Sequence, residues 1–477
     1  MKRSVVLIFT VIIFATAGSA ATATFNKDIA PILYQHCAIC HRPGEVAPFS
    51  LLTYQDASKR ASLIATVTER RYMPPWKPEP GYGRFADERR LTDAQIALIK
   101  EWATNGAPEG NPADKPELPA FADGWQGGKP DRIFTLPSRF ALAADGPDQF
   151  RCFVMPLNLD HEAFVSAFEF RPDNRRIVHH ALIFVDSTGA ARQRAGSDGS
   201  YPCFGGAGVS GAGLIGGWAP GALPAPAVDD YSQPVPQGSD IIVQIHYHPS
   251  GKPESDQSSL GLIFSGPPKK GRTAATVIGG RINIPPGDAH YVVKGQVVLP
   301  RDVEVSFIAP HAHYLAKDMK ITAHLPDGST VPLIWIKDWD FNWQGRYRYE
   351  KSVELPKDTR IELEYVFDNS ENNPRNPAHP PVRVRWGEQT ADEMALAFLG
   401  VLLPTPQDAR DFARQIALQN LEAFLYEGLN IDDLSSAIGG QQRARLQQAL
   451  RLFDRNQNGI LDAAERAALL KLLRGSN

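Results

Sequence analysis

Asp240-Ile241-Ile242-Val243-Gln244-Ile245-His246-Tyr247-His248 decides how this chain is read. β-Branched and aromatic residues dominate it and no Gly or Pro interrupts it, so it reads as a strand. Runs of the same kind recur at Arg176 to Val185, Tyr291 to Leu299, Val303 to Ile308, Met319 to Leu325 and Ile361 to Phe367, separated by Gly and Pro. All-β packing is expected over this region. Six of the twelve histidines fall in three close pairs in or beside these runs: His179-His180, His246 with His248, and His311 with His313. Residues two apart on a strand share a face, so His311 and His313 can grip one ion while Ala312 points away. Adjacent His179 and His180 could share a metal only on a twisted or bulged strand end. A single His is more often a hydrogen-bonded core or surface residue; three clusters together point to metal. Imidazole-rich sets with little carboxylate suit copper or zinc, and a thioether ligand favours Cu(I).

The 477-residue chain is 43% hydrophobic and 22% charged, with 39 Gly, 39 Pro and a formal charge of −3. That length implies several packed units, and the charge leaves no basic surplus for nucleic acid. Four cysteines are too few for a disulfide scaffold, so apolar cores must supply the stability. Lys2 and Arg3 precede an apolar run from Val5 to about Ala17 and a small-residue cut site ending at Ala20, the pattern of a signal peptide over residues 1–20. The mature protein is therefore expected in the periplasm or otherwise outside the cytoplasm, with no stable membrane insertion. An uncleaved anchor is the alternative, but the run falls short of the roughly 20 residues a bilayer crossing needs.

Cys37-Ala38-Ile39-Cys40-His41 is C-x-x-C-H, with two thiols spaced to form thioethers to haem vinyls and an imidazole for the iron. Half a zinc site is the other reading, but Cys152 and Cys203 lie far along the chain. Met73, in Arg71-Tyr72-Met73-Pro74-Pro75-Trp76, is the candidate second axial ligand; a lone Met is otherwise core filler. Leu91 to Asn105 reads as a helix capped by Thr92 or Asp93. From Phe25 to about Gly110 the chain resembles a small class I c-type cytochrome, which implies electron transfer by haem c. A Pro-, Gly- and Asp-rich linker follows.

A second resemblance covers about Phe150 to Leu402. Arg151-Cys152-Phe153, Val178-His179-His180-Ala181-Leu182, Gly217-Trp218-Ala219-Pro220, Gln244-Ile245-His246, Ile284-Pro285-Pro286-Gly287, His311-Ala312-His313 and Asp392-Glu393-Met394 occur in the order of landmarks in the copper type II, ascorbate-dependent monooxygenases. That is the family of the peptidylglycine α-hydroxylating and dopamine β-monooxygenases. The resemblance implies two copper ions per chain. An electron-storing copper would be held by His179, His180 and His246, and an oxygen-binding, catalytic copper by His311, His313 and Met394. It also implies a Cys152–Cys203 disulfide, and hydroxylation of a C–H bond by O2 with electrons from ascorbate or another external reductant, or through the haem. His248 has no ligand role in that scheme and is either a support to the site or a plain strand residue. Peptide-hydroxylating members bind a terminal carboxylate with an Arg, an Asn and a Tyr. Here Ala309, Leu396 and Phe398 stand at those positions, and an apolar pocket would leave a carboxylate without partners. A neutral or apolar organic substrate is expected.

Asp454 to Glu465 fits a calcium-binding EF-hand loop, with Asp454, Asn456, Asn458, Ile460, Asp462 and Glu465 at the ligand places and Gly459 at the turn. No second loop is found to pair with it, so a structural role is expected, and a metal-free helical hairpin is the alternative.

The expected fold class is multidomain: a small α-helical cytochrome c domain, two antiparallel β-sandwich (jelly-roll) subdomains, and a short helical EF-hand tail. The expected divisions are 24–110 for the haem domain, 111–131 for the linker, 132–267 and 272–402 for the copper subdomains, and 405–477 for the tail. A non-catalytic copper and haem electron-transfer protein is the rival reading; a zinc hydrolase would leave Met394 and the haem without a use.

Overall fold

The structure is a computed structural model. It describes residues 22–475 except 46, 122–123, 205, 210, 221, 223, 225–231, 269–271, 388, 426–428 and 432–446. The expected leader, residues 1–20, lies outside the described residues. The chain divides into two compact units. One takes in the described residues up to Trp76 together with Arg89–Ala120; the other comprises Lys77–Glu88 and the chain from Phe121 onward.

In the first unit, helical segments Phe25–Ile29, Ala30–His36, Tyr54–Ser58, Ala61–Glu69 and Asp93–Thr104 surround Phe25, Ile29, Leu33, Ile99 and Trp102, all fully buried. Asp93–Thr104 starts where the sequence asks it to: Thr92 Oγ1 accepts from Gln95 N, and the Gln95 side chain accepts from Thr92 N. That reciprocal cap satisfies two otherwise unpaired amides.

The second unit is built on antiparallel sheets. A five-stranded sheet runs in the order Ser200–Pro202, Gln149–Pro156, Asp240–Tyr247, Val178–Asp186, Gly213–Trp218. A four-stranded sheet of Arg132–Thr135, Ser259–Ser265, Ala163–Arg171 and Gln233–Val235 shares a core with it, in which Phe153, Ile183, Val243 and Ile245 meet Val165, Phe170, Leu260 and Leu262. Two further four-stranded sheets follow. One orders Arg272–Gly279, Leu396–Leu403, Val303–His311 and Tyr347–Leu355; the other orders Tyr291–Val298, Arg360–Phe367, Ala316–His324 and Thr330–Ile336. Every second residue of Arg360–Phe367 is buried, the alternation of a strand with one face on a core. Helix Pro406–Phe424 lies on this region: Gln419 exchanges both hydrogen bonds with the backbone of Val298, and Asn420 donates to Val277 O at 2.7 Å.

The expected fold class is corrected by this architecture. The molecule is mostly β, 33% strand against 19% helix, with no clearly separate small helical cytochrome domain at the N-terminus. The described strands fall into seven sheets, three of them two-stranded, in place of two plain jelly rolls. Lys77–Glu88 is one physical reason. Its Pro- and Gly-rich sequence cannot continue a helix, and its extended backbone is taken up by the β unit, where Pro78 bridges Ile336, Phe85 bridges Tyr349 and Glu79 N donates to Trp335 O at 2.7 Å. Nor is the tail purely helical, since Leu429–Asn430 pairs antiparallel with Ile460–Leu461. No helix among the described residues is long and apolar enough to cross a membrane.

Cys152 and Cys203 form a disulfide between buried sulfurs, with Cα atoms 5.8 Å apart and a sequence separation of 51. On the loop-entropy model, closing a loop of that size contributes about 4 kcal/mol. Replacing both cysteines by Ala should lower unfolding stability by an amount of that order in denaturant titrations; a loss below about 1 kcal/mol would contradict the assignment of stability to this loop.

Candidate metal centres

His179 and His180 lie on Val178–Asp186, next to the strand that carries His246. Val178 pairs with Tyr247 and His180 with His246, so His179 is an extra residue in the ladder. This bulge is what lets two adjacent side chains turn the same way. The three Nδ1 atoms form a triangle with sides of 3.2 Å (His179 to His180), 3.1 Å (His179 to His246) and 3.4 Å (His180 to His246). A point equidistant from all three falls about 1.9 Å from each, close to the ordinary metal–imidazole bond length. Phe150 stacks on His246 at 4.3 Å and walls that side. Burial, followed by the charge His246 would carry, holds His179 and His180 well below the ordinary imidazole range, so they keep the neutral lone pairs a metal needs.

The second pair is presented differently. His311 ends the strand Val303–His311 and His313 follows it, with ring centroids 5.3 Å apart. Nδ1 of His311 is 2.6 Å from Gln344 Oε1, and Nδ1 of His313 is 3.0 Å from Asp392 O. Each ring therefore donates from Nδ1 and leaves Nε2 available to a metal, the usual way a neighbouring acceptor orients an imidazole. The ladder between Val303–His311 and Leu396–Leu403 ends at His311 opposite Leu396. Met394 lies two residues before Leu396, and His313 two residues after His311. The buried Glu393 carboxylate joins these segments, accepting from the backbone amides of His313, Leu315 and Met394. Burial pushes Glu393 up to about 8, His311 down to about 4 and His313 down to about 3.

Phe341 separates the two clusters. Its ring stacks on His179 at 4.5 Å, meets His313 edge-on at 5.4 Å and packs on Tyr314 at 4.4 Å. Asp148 also reaches both: Oδ2 lies 2.9 Å from His246 Nε2, by a bent contact, and accepts from the amide and hydroxyl of Thr390, while Oδ1 lies 2.6 Å from His248 Nδ1. His248 is thus attached to the site without joining the Nδ1 triangle. Asp148, Phe341, Gln344 and Glu393 have no role in the sequence reading. Asp148 follows Gly146-Pro147 and looks like a turn residue, and only its position two places before Phe150 hints at more.

In the first unit, the segment after Ala30–His36 is wound so that Cys40 N and His41 N both donate to Cys37 O. Cys37 and Cys40 are thiols outside the disulfide, and Cys37 is pushed up to about 12, chiefly by burial. His41 Nδ1 is 3.1 Å from Phe49 O, which leaves Nε2 for an iron. Met73 lies on the turn after Ala61–Glu69, its amide donating to Val67 O; no hydrogen bond or ring contact among the described residues ties it to His41.

At the tail, Glu465 reaches back over the loop, with Oε1 accepting from Arg455 N at 2.7 Å and Oε2 from Asp462 N at 3.0 Å. Asp454 accepts from Asn458 N and Gly459 N, and Asn458 Oδ1 from Ile460 N. Asp454 and Glu465 are buried, so the loop is already curled around its oxygen donors. The backbone of Leu429–Asn430 supplies a partner strand that the sequence did not reveal.

No family model matches the chain, and no curated protein does. Among solved structures, the major capsid protein P2 of bacteriophage PM2 is 7% identical with a TM-score of 0.21, covering 51% of this chain and 99% of its own. A PNGF-II structure gives 10%, 0.20, 60% and 62%, and an infectious bursal disease virus VP2 subviral particle 11%, 0.15, 62% and 87%. At such scores these likenesses carry no argument about fold or activity.

The buried imidazoles set a pH dependence. The unfolded chain binds protons at each His near the usual 6.5, while folded His311 resists until about 4, so stability falls as pH drops through that window. In denaturant titrations of metal-free protein, the loss between about pH 7 and pH 5 should be smaller in His311→Gln than in the wild type; equal losses would contradict the burial argument.

Proposed function

We propose that the chain is an exported copper-dependent monooxygenase that hydroxylates a C–H bond of a neutral or apolar substrate with O2. The observation that carries this reading is the triangle of three Nδ1 atoms beside a second His pair whose Nε2 atoms are left for a metal. The resemblance of the motifs around these residues to the copper type II monooxygenases supports it. Copper bound at the two sets would supply the one-electron chemistry that activates O2.

The residues divide the remaining work. His179, His180 and His246 hold one ion; His311, His313 and Met394 hold the other, and the thioether favours the reduced state. Gln344 and Asp392 fix the imidazole orientations at the second set, and Phe341, with Tyr314 packed on it, stands between the two. Leu396 pairs across the ladder with His311, and Phe398 with Ala309. These half-buried apolar side chains lie on the strand face that carries His311, which suits an uncharged substrate. Cys37, Cys40 and His41, with Met73 as candidate second axial ligand, would hold haem c and take electrons from an external donor, ascorbate or another reductant. Asp454, Asn456, Asn458, Ile460, Asp462 and Glu465 would hold calcium.

Metal analysis of purified protein should find two copper, one iron and one calcium per chain, and O2 uptake should depend on an added neutral substrate. His179→Ala should lose one copper, and Met394→Ile should lower turnover at least about 100-fold, since ligand loss exceeds the roughly 10–100-fold cost of a lost supporting contact. Copper retained with no substrate-dependent O2 uptake would favour the electron-transfer reading, and absence of stoichiometric copper would overturn both.

A further inference from the structure

Asp148 makes an arrangement that no ligand motif calls for. It lies just before the strand Gln149–Pro156, and its side chain is 5% exposed. Oδ2 is 2.9 Å from Nε2 of His246, the nitrogen opposite the one in the Nδ1 triangle. The same oxygen accepts from Thr390 N at 3.1 Å and Thr390 Oγ1 at 2.5 Å, 242 residues further along the chain. Thr390 begins the short segment Thr390-Ala391-Asp392-Glu393-Met394. That segment gives a carbonyl to His313 and a carboxylate to three backbone amides, and it ends at Met394. Oδ1 holds His248 Nδ1 at 2.6 Å, which fixes the carboxylate's rotation.

We propose that Asp148 is a positioning residue that fixes the ring of His246 in one histidine cluster and, through Thr390, the Met394 segment of the other, so that both metal sites are built against one carboxylate. A carboxylate behind a ligating imidazole sets the ring's tautomer and orientation and raises its basicity. Here His246 must carry its proton on Nε2 for Nδ1 to be free, and Asp148 Oδ2 is the carboxylate oxygen that faces that nitrogen, across a bent 2.9 Å contact. On the other side, the two Thr390 bonds anchor the start of a loop that Asp392 and Glu393 hold further along. Phe341 packs against a histidine of each site; this carboxylate adds a polar link through which the geometry of each depends on the other. The assignment rests on the copper reading above.

The test is competition titration of copper against a chromophoric chelator in the full chain, with Cu(II) electron paramagnetic resonance on the singly loaded first site. Asp148→Ala should weaken copper at both sites by about 10–100-fold, the range for a lost supporting contact, and alter the hyperfine pattern of the three-His site. Thr390→Val should weaken only the site containing Met394 and leave that pattern unchanged. Asp148→Asn, which keeps an acceptor at the Oδ2 position, should restore most of both affinities and the wild-type spectrum. Affinities and spectrum unchanged in Asp148→Ala would overturn the proposal. If the wild-type chain takes up no copper, the functional reading fails by itself. The link is then read from metal-free melting temperatures of Asp148→Ala, Thr390→Ala and the double variant, where non-additive shifts support it and additive shifts overturn it.

Discussion

Three imidazole nitrogens facing one another at 3.1–3.4 Å are the constraint on which the candidate site depends. Each neutral ring has one lone pair and one N–H, so three rings aimed at a common point cannot all be satisfied by hydrogen bonds among themselves. Burial worsens the conflict, because protonating a ring there is disfavoured and leaving lone pairs opposed is unfavourable. A cation at the centre resolves it. The His179 bulge, the Phe150 stack and the core of Val243, Ile245 and Tyr247 behind the strand keep the rings in that arrangement against their mutual repulsion.

The β unit brings that point close to the second histidine pair. Phe341 contacts a histidine of each set, and Asp148 contacts His246 and Thr390, so an aromatic ring and a carboxylate join regions far apart in sequence. The ring itself is buried, 3% exposed, between His179 and His313. The ring nitrogens are presented differently in the two sets. In the first a bulge brings three Nδ1 atoms together; in the second, Gln344 Oε1 and the Asp392 carbonyl occupy Nδ1.

Much of the strand pattern was legible. The run Asp240 to His248 folds as the strand Asp240–Tyr247, and Tyr291 to Leu299 as Tyr291–Val298, because alternating β-branched residues record which face is buried. The strand expected to end at Ile308 continues to His311, since the ladder with Leu396–Leu403 extends past the apolar run. Side-chain alternation allowed His179 and His180 to share a metal only at a twisted or bulged strand end, and the ladder is bulged there. What did not show was long-range and non-periodic. Asp148 reads as a turn acid, and Phe341 and Gln344 lie in a loop whose aromatic composition says only that something packs there. The departure of Lys77–Glu88 into the β unit depends on a strand edge more than two hundred residues away, and the layered fold class failed for the same reason: local patterns name strands but do not assign them to sheets.

Anomalous X-ray diffraction at the copper edge, on crystals grown with copper, tests the central claim most directly. The account predicts a peak about 2 Å from Nδ1 of His179, His180 and His246 together, and a second near Nε2 of His311 and His313. Density for the three rings with no peak between them, or rings turned so that their Nδ1 atoms diverge, would contradict it.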